Sequence, residues 1–369
     1  MAYHVSILGK WGGERSLIMG GQPSEVNRAK KMQGTPDKLV IGIDEAGYGP
    51  NLGPLCIGAS LWKAPAELDV ASLAHGLFPY FSPKSTDKQP TWIPLGDSKV
   101  LYRSGGSIKS LSAGLLALEN FRNRSTPLKI PDLNGWLNLN DQRRLANVPW
   151  FKLLPRSALR EDLFPNFDET FDRSTIAEAG NRLDELGIQL IEVGSRAIEE
   201  VEFNRLVDLH GNKSNVLSMV TLDWTRCWLE KFLIEHASTP YSHVEIYCDK
   251  HGGRSRYQSM LSHIFPESWF TIELESSACS RYSSQIFGAA THWSFTAKGD
   301  SIVPASVASM AAKWTREVLM DRLNHFWSER VSTLRPTAGY PVDAKRFAGD
   351  IEPTANKLGF EKSTWWRKV

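Results

Sequence analysis

Three apolar runs in this chain each stop at a carboxylate, and that repeated ending restricts the fold more than any other feature. Lys38-Leu39-Val40-Ile41-Gly42-Ile43 is β-branched and almost continuously apolar, the pattern of a strand buried on both faces, and it stops at Asp44-Glu45. Val244, Ile246 and Cys248 alternate with Glu245, Tyr247 and Asp249, which predicts a strand ending just before Gly252-Gly253. Trp293, Phe295 and Ala297 alternate with Ser294, Thr296 and Lys298 and run into Gly299-Asp300. The first run is followed by Gly47, Gly49, Pro50, Gly53 and Pro54 and then by a second apolar run over 55–62, a strand, long turn and partner strand. A further strand is expected over 188–193, and helices over 107–121 and 174–186. Leu217, Val220, Trp224, Trp228 and Phe232 recur at helical spacing behind Ser214 as N-cap, and another long helix is expected over about 305–327. Strands alternating with helices predict an α/β domain.

If those strand ends lie side by side, Asp44, Glu45, Asp249 and Asp300 converge and repel one another. The usual relief is a pair of hard divalent cations with oxygen ligands, Mg²⁺ or Mn²⁺. Two such ions about 4 Å apart can activate a water and stabilise the leaving oxygen of a phosphodiester without any histidine or cysteine. Cys56, Cys227, Cys248 and Cys279 stand far apart with no CxxC spacing, so neither a thiolate zinc site nor a disulfide framework is expected, and the reducing cytoplasm is the expected compartment. No apolar run reaches membrane-span length, and residues 1–12 lack the pattern of a secretory signal, so no membrane partner is expected. Lys plus Arg number 43 against 41 for Asp plus Glu, a formal charge of +2, so any polyanion site has to be a local patch.

Gly42-Ile43-Asp44-Glu45-Ala46-Gly47-Tyr48-Gly49-Pro50, with Gly53-Pro54 behind it, resembles the opening signature of the ribonuclease HII family, and Gly96-Asp97-Ser98-Lys99 resembles the segment that follows it there. Lys298-Gly299-Asp300 before the 305–316 helix is similar to that family's last acidic motif, and Gly339-Tyr340-Pro341 to its tyrosine motif. The resemblance spans about 38–62, 94–102 and 188–345. It implies a ribonuclease H-like fold: a mixed five-stranded sheet flanked by helices, here with a large insertion over about 63–185 and a C-terminal helical extension. It further implies two divalent metal ions held by Asp44, Glu45, Asp249 and Asp300. The implied activity is hydrolysis of RNA in RNA/DNA hybrids or of ribonucleotides embedded in duplex DNA. Tyr48 stands where the family carries a basic residue, and Asp249 is followed by Lys250-His251-Gly252-Gly253-Arg254 instead of Asp-Gly.

The residues expected to meet nucleic acid are Gly47, Tyr48 and Gly49, then Ser98 and Lys99, then Lys250 and Arg254 around the paired glycines. Lys313 and Arg316 near the start of the last helix, and Tyr340, complete the set. The expected organisation is a loose extension over 1–37, a catalytic domain over 38–330 and a segment over 331–369 carrying the tyrosine motif. Two other readings stand beside the nuclease. One is a non-catalytic or structure-selective nucleic-acid-binding relative, suggested by Tyr48 and the altered loop. The other is an actin-like kinase or ATPase, which Glu45 disfavours by placing a second negative charge beside the phosphate loop.

Overall fold

A computed structural model describes residues 36–77, 79–82, 92–103, 106–122, 133–137, 139–152, 158–234, 241–297 and 302–368. Asp300, with Lys298 and Gly299, and residues 1–35 of the expected extension over 1–37 lie outside them. Among the described residues the strands are β1 (Lys38–Ala46), β2 (Leu55–Ala64), β3 (Phe81–Ser82), β4 (Ile93–Pro94), β5 (Gln189–Ile198), β6 (Val244–Asp249), β7 (Thr271–Glu275), β8 (Cys279–Ile286) and β9 (Ala289–Thr296). All but β3 and β4 join one mixed sheet in the order β5-β2-β1-β6-β9-β8-β7. β2 runs antiparallel to β1 and β5, whereas β6 is parallel to β1 and β9 is parallel to β6.

The central order β5-β2-β1-β6-β9 gives the five strands that the resemblance implies, flanked by helices. The sheet is nevertheless seven-stranded, because part of the segment between Asp249 and β9 folds into the antiparallel pair β7 and β8 at the sheet's edge. Ser276 closes that hairpin: its amide donates to Cys279 O at 3.0 Å and the Cys279 amide returns to Ser276 Oγ at 3.0 Å.

The principal helices are α1 (Ser98–Leu101), α2 (Lys109–Arg122), α3 (Arg173–Glu185), α4 (Glu200–His210), α5 (Lys213–Ile234), α6 (Gln258–Ile264), α7 (Val303–Ser328) and α8 (Pro341–Lys357). Successive strand residues face opposite sides, so β1 feeds two cores. Val40 joins Leu115, Met310, Trp314 and Phe347, from α2, α7 and α8. Leu39, Ile41 and Ile43 join Phe203, Leu217, Trp228 and Leu261, from α4, α5 and α6. Described residues of the 63–185 segment thus build much of one core, and α8 packs into the same body.

Glycine decides how closely α7 approaches the sheet. A Cβ on Gly42 would stand 2.0 Å from Pro304 C, and one on Gly58 would stand 2.0 Å from Ala308 O. Only hydrogen at those two strand positions lets α7 lie flush on β1 and β2, and this lowers Ser309 onto the end of β1.

Candidate active site

Ile43 pairs with Cys248 across the parallel β1 and β6, so the next residue of each strand, Asp44 and Asp249, stands abreast at the sheet's carboxyl edge. Neighbouring strands run about 4.8 Å apart, close enough for the two charges to interact strongly. Asp44 is buried. Burial pushes its carboxyl up to about 7, the Ser309 hydroxyl bonded to it pulls it back, and the Asp249 charge raises it further. Glu45 is lifted well above the ordinary carboxylate range by burial first, and then by the charges of Asp44 and Asp249. The Glu45 amide donates to Asp44 Oδ1 at 2.7 Å, which fixes the carboxylate at the strand end.

The Asp97-Ser98-Lys99 segment is brought to this point from far along the chain. Asp97 caps α1 by accepting the Lys99 amide at 2.8 Å. Ser98 Oγ lies 2.9 Å from Ser309 Oγ, so a chain of hydroxyls runs from Ser98 through Ser309 to Asp44. Lys99 is exposed, and its charge lowers both the Asp44 and Glu45 carboxyls. Ser309 was not among the residues expected from sequence. A serine among small and apolar residues on a wholly buried stretch of helix is the signal that could have found it, because its hydroxyl must have a partner.

The glycine loop sits beside the carboxylates. Tyr48 is half-buried, and a Cβ on Gly252 would meet its hydroxyl at 3.2 Å, so the ring lies against the loop that follows Asp249. Lys213 Nζ stands 5.5 Å from the centre of the same ring. Gly49 is exposed. Arg254 is half-buried and donates to Asn215 Oδ1 at 2.6 Å and Ser214 Oγ at 3.4 Å, both neutral. Tyr340 is 50% exposed and stands just before Pro341, the first residue of α8.

Lys250 and Arg316 are corrections to the expected phosphate contacts, for both are structural cations. Lys250 is 7% exposed and its ammonium donates to Arg254 O at 3.1 Å, Ser276 O at 2.7 Å and Ser280 Oγ at 3.0 Å, which tie the loop to the β7–β8 hairpin. Arg316 is 2% exposed and donates to the carbonyls of Pro54, Leu52 and Ala338, stitching the glycine loop to the turn at Gly339. Lys313 pairs with Glu317 at 2.7 Å and lies over the Tyr102 ring at 4.9 Å, so its charge is already matched.

The donor set suits a hard divalent cation, since carboxylate oxygens in mutual repulsion are relieved by a cation. Among the described residues no three acidic, histidine or cysteine side chains stand together as a ligand group. Asp300, the expected fourth carboxylate, lies outside the described residues.

No family model matches the chain, and no curated protein matches its sequence. Among solved structures, the RNase HII of Archaeoglobus fulgidus in a PCNA complex aligns at 13% identity and a TM-score of 0.34, over 90% of this chain and 96% of that one. Ribonuclease H2 from Pyrococcus horikoshii OT3 aligns at 15% and 0.35, over 89% and 92%. Bst-RNase HIII in complex with Mn²⁺ aligns at 14% and 0.37, over 94% and 70%.

Proposed function

We propose that this chain is a metal-dependent endonuclease that hydrolyses the RNA strand of RNA/DNA hybrids or a ribonucleotide embedded in duplex DNA. The observation that carries the reading is that Asp44 and Asp249 each follow the last paired residues, Ile43 and Cys248, of adjacent parallel strands, with Glu45 beside them and both Asp44 and Glu45 destabilised as free anions. Asp44, Glu45 and Asp249, with Asp300 from the segment after β9, would hold two Mg²⁺ or Mn²⁺ ions. Those ions supply the activation of water and the neutralisation of the leaving oxygen.

The chain's own groups have separate tasks. The Ser98–Ser309 hydroxyls fix the orientation of the Asp44 carboxylate and favour its ionised form. Lys99 places a positive charge next to the carboxylates, where a scissile phosphate would approach. Gly47, Tyr48 and Gly49 offer main-chain amides and a flat ring to the sugar and phosphate of the strand, and Arg254 stands on the adjoining loop.

The test is incubation with a labelled RNA/DNA hybrid, and with a duplex carrying one ribonucleotide, in Mg²⁺, in Mn²⁺ and in chelator. Cutting in either metal and none in chelator is expected. Tyr48 in the glycine loop and the Lys250–Arg254 run after Asp249 support a second reading, a non-catalytic hybrid-binding relative. Binding of the hybrid without cutting in either metal would establish that reading and reject the first.

A further inference from the structure

A loop rich in glycine has few side chains to hold it, so the fate of its main-chain groups decides its shape. Here a residue from the far end of the sequence holds them. Arg367 is 1% exposed and stacks on Phe203 at 3.9 Å. Its Nη1 donates to Gly47 O at 2.6 Å and Gly53 O at 3.4 Å, and its Nη2 reaches Tyr48 O at 3.4 Å. The Arg367 amide donates to Asn51 O at 2.9 Å. Glu200 Oε1 accepts the Gly53 amide at 2.8 Å, and Gly339 O accepts the amides of Asn51 at 2.8 Å and Leu52 at 3.3 Å.

The arginine is itself firmly seated. Asn204 Nδ2 donates to Ser363 O and Trp366 O, both at 2.9 Å, and the Lys368 amide donates to Asn204 Oδ1 at 2.7 Å. Trp365 is 1% exposed, and Lys368 pairs with Asp208. Helix α4 thus brackets the loop on one side, through Glu200 and Phe203, and the 363–368 segment on the other, through Asn204 and Asp208.

A trans peptide points its C=O and the following N–H in opposite directions. With Gly47 O turned onto Arg367, the Tyr48 N–H is turned away from it, and Tyr48 O does the same, more weakly, for the Gly49 N–H. Among the described residues no protein acceptor meets the amides of Gly47, Tyr48 or Gly49. Gly47 can adopt the required φ of +86° because it lacks a Cβ.

We propose that Arg367 is a positioning residue for substrate recognition: it holds the loop's carbonyls inward so that the Tyr48 and Gly49 amides face an acceptor oxygen, sugar hydroxyl or phosphate, of the bound nucleic-acid strand. The inference rests on the nuclease reading for the identity of that strand, but the clamp itself stands on the contacts above.

The test compares the full-length parent with Arg367→Gln and Arg367→Lys. In hydrogen exchange followed by mass spectrometry, with α7 as internal reference, Arg367→Gln should speed exchange at 51–53 about tenfold or more, because those bonded amides lose their frame. On a labelled hybrid, KM should rise about tenfold with kcat within about threefold of the parent, and Arg367→Lys should fall between, since an ammonium reaches one carbonyl but lacks the fork. A purely structural role predicts otherwise: a smaller folded fraction lowers apparent kcat and leaves KM alone. That outcome, or unchanged loop exchange, overturns the proposal. If the parent binds the hybrid but cuts nothing, the nuclease reading fails while the dissociation constant replaces KM as the readout. An unchanged constant in Arg367→Gln then overturns the clamp. A parent that neither cuts nor binds the hybrid overturns both.

Discussion

Asp44 is held in a buried place where its own charge is unwelcome, and that conflict can be measured without any substrate. Its carboxyl is raised from the ordinary range to about 7, so between about pH 4 and pH 7 the native state keeps a proton that the unfolded state has released. The stability from that proton is fully present below about pH 4 and is lost as pH rises through 7. Asn carries no charge to desolvate. In chelator at pH 8, Asp44→Asn should therefore melt above the parent, by a margin on the order of 1–3 kcal/mol that vanishes near pH 4. Thermal melts at both pH values check this, and the same variant should lose hybrid cleavage altogether. A second variant tests the hydroxyl chain. Ser309→Ala removes the bond that lowers the Asp44 carboxyl, so Mn²⁺ affinity should fall about tenfold, the scale of a charge-assisted bond, as measured by titration with the spin of the free ion. Asp44 and Glu45 were legible in the sequence because an apolar run that stops at two acids is a local pattern. Ser309 was not, because its meaning depends on a helix placed over a strand from a distant part of the chain.

Helix α7 places Ser309 by lying against bare backbone, and the glycines beneath it set the tolerance. Gly58→Ala would drive a methyl into Ala308 O, and main chain on both sides leaves nothing flexible to yield. The expected loss is about 1–3 kcal/mol in urea unfolding, with cleavage falling as α7 is lifted from Asp44. Gly49→Ala serves as the contrast for stability, since nothing lies within 4 Å of its Cβ and its φ is not positive, and it should unfold within about 0.5 kcal/mol of the parent. The helical spacing of Trp224, Trp228 and Phe232 revealed α5, and that of Val307, Met310 and Trp314 revealed α7, because both bury wide apolar faces. β7 was missed. Ile272 and Leu274 do alternate with Thr271, Glu273 and Glu275, but the strand is exposed along most of its length at the sheet's edge, so burial left little contrast to read. The start of α5 also differs: the helix opens at Lys213, and Asn212 Oδ1 accepts the Asn215 amide in the role expected of Ser214.

Over the whole molecule a formal charge of +2 leaves almost no net field, so attraction for a polyanion depends on which cations remain unmatched near the site. Sequence proximity could not decide that, since Lys250, Arg316 and Lys313 all lie close to motif residues yet turn out to be engaged within the protein. Apart from Lys99 next to the carboxylates, the glycine loop is flanked by Lys213, half-buried over the Tyr48 ring with no carboxylate beside it among the described residues, and by Arg254, bonded only to neutral side chains. The two arrive from different parts of the sequence, and only the loop after β6 folding back on the start of α5 makes them neighbours. Each phosphate contact releases about one counterion, so the slope of log affinity against log salt counts them. Fluorescence anisotropy with a labelled hybrid between about 50 and 200 mM salt should give slopes shallower by about one for Lys213→Ala and for Arg254→Ala, and by about two for the double variant. Lys313→Ala should leave the slope unchanged, because the ammonium it removes is already neutralised by Glu317. A slope lowered by Lys313→Ala and untouched by the other two would place the nucleic-acid track along α7 instead of beside Tyr48.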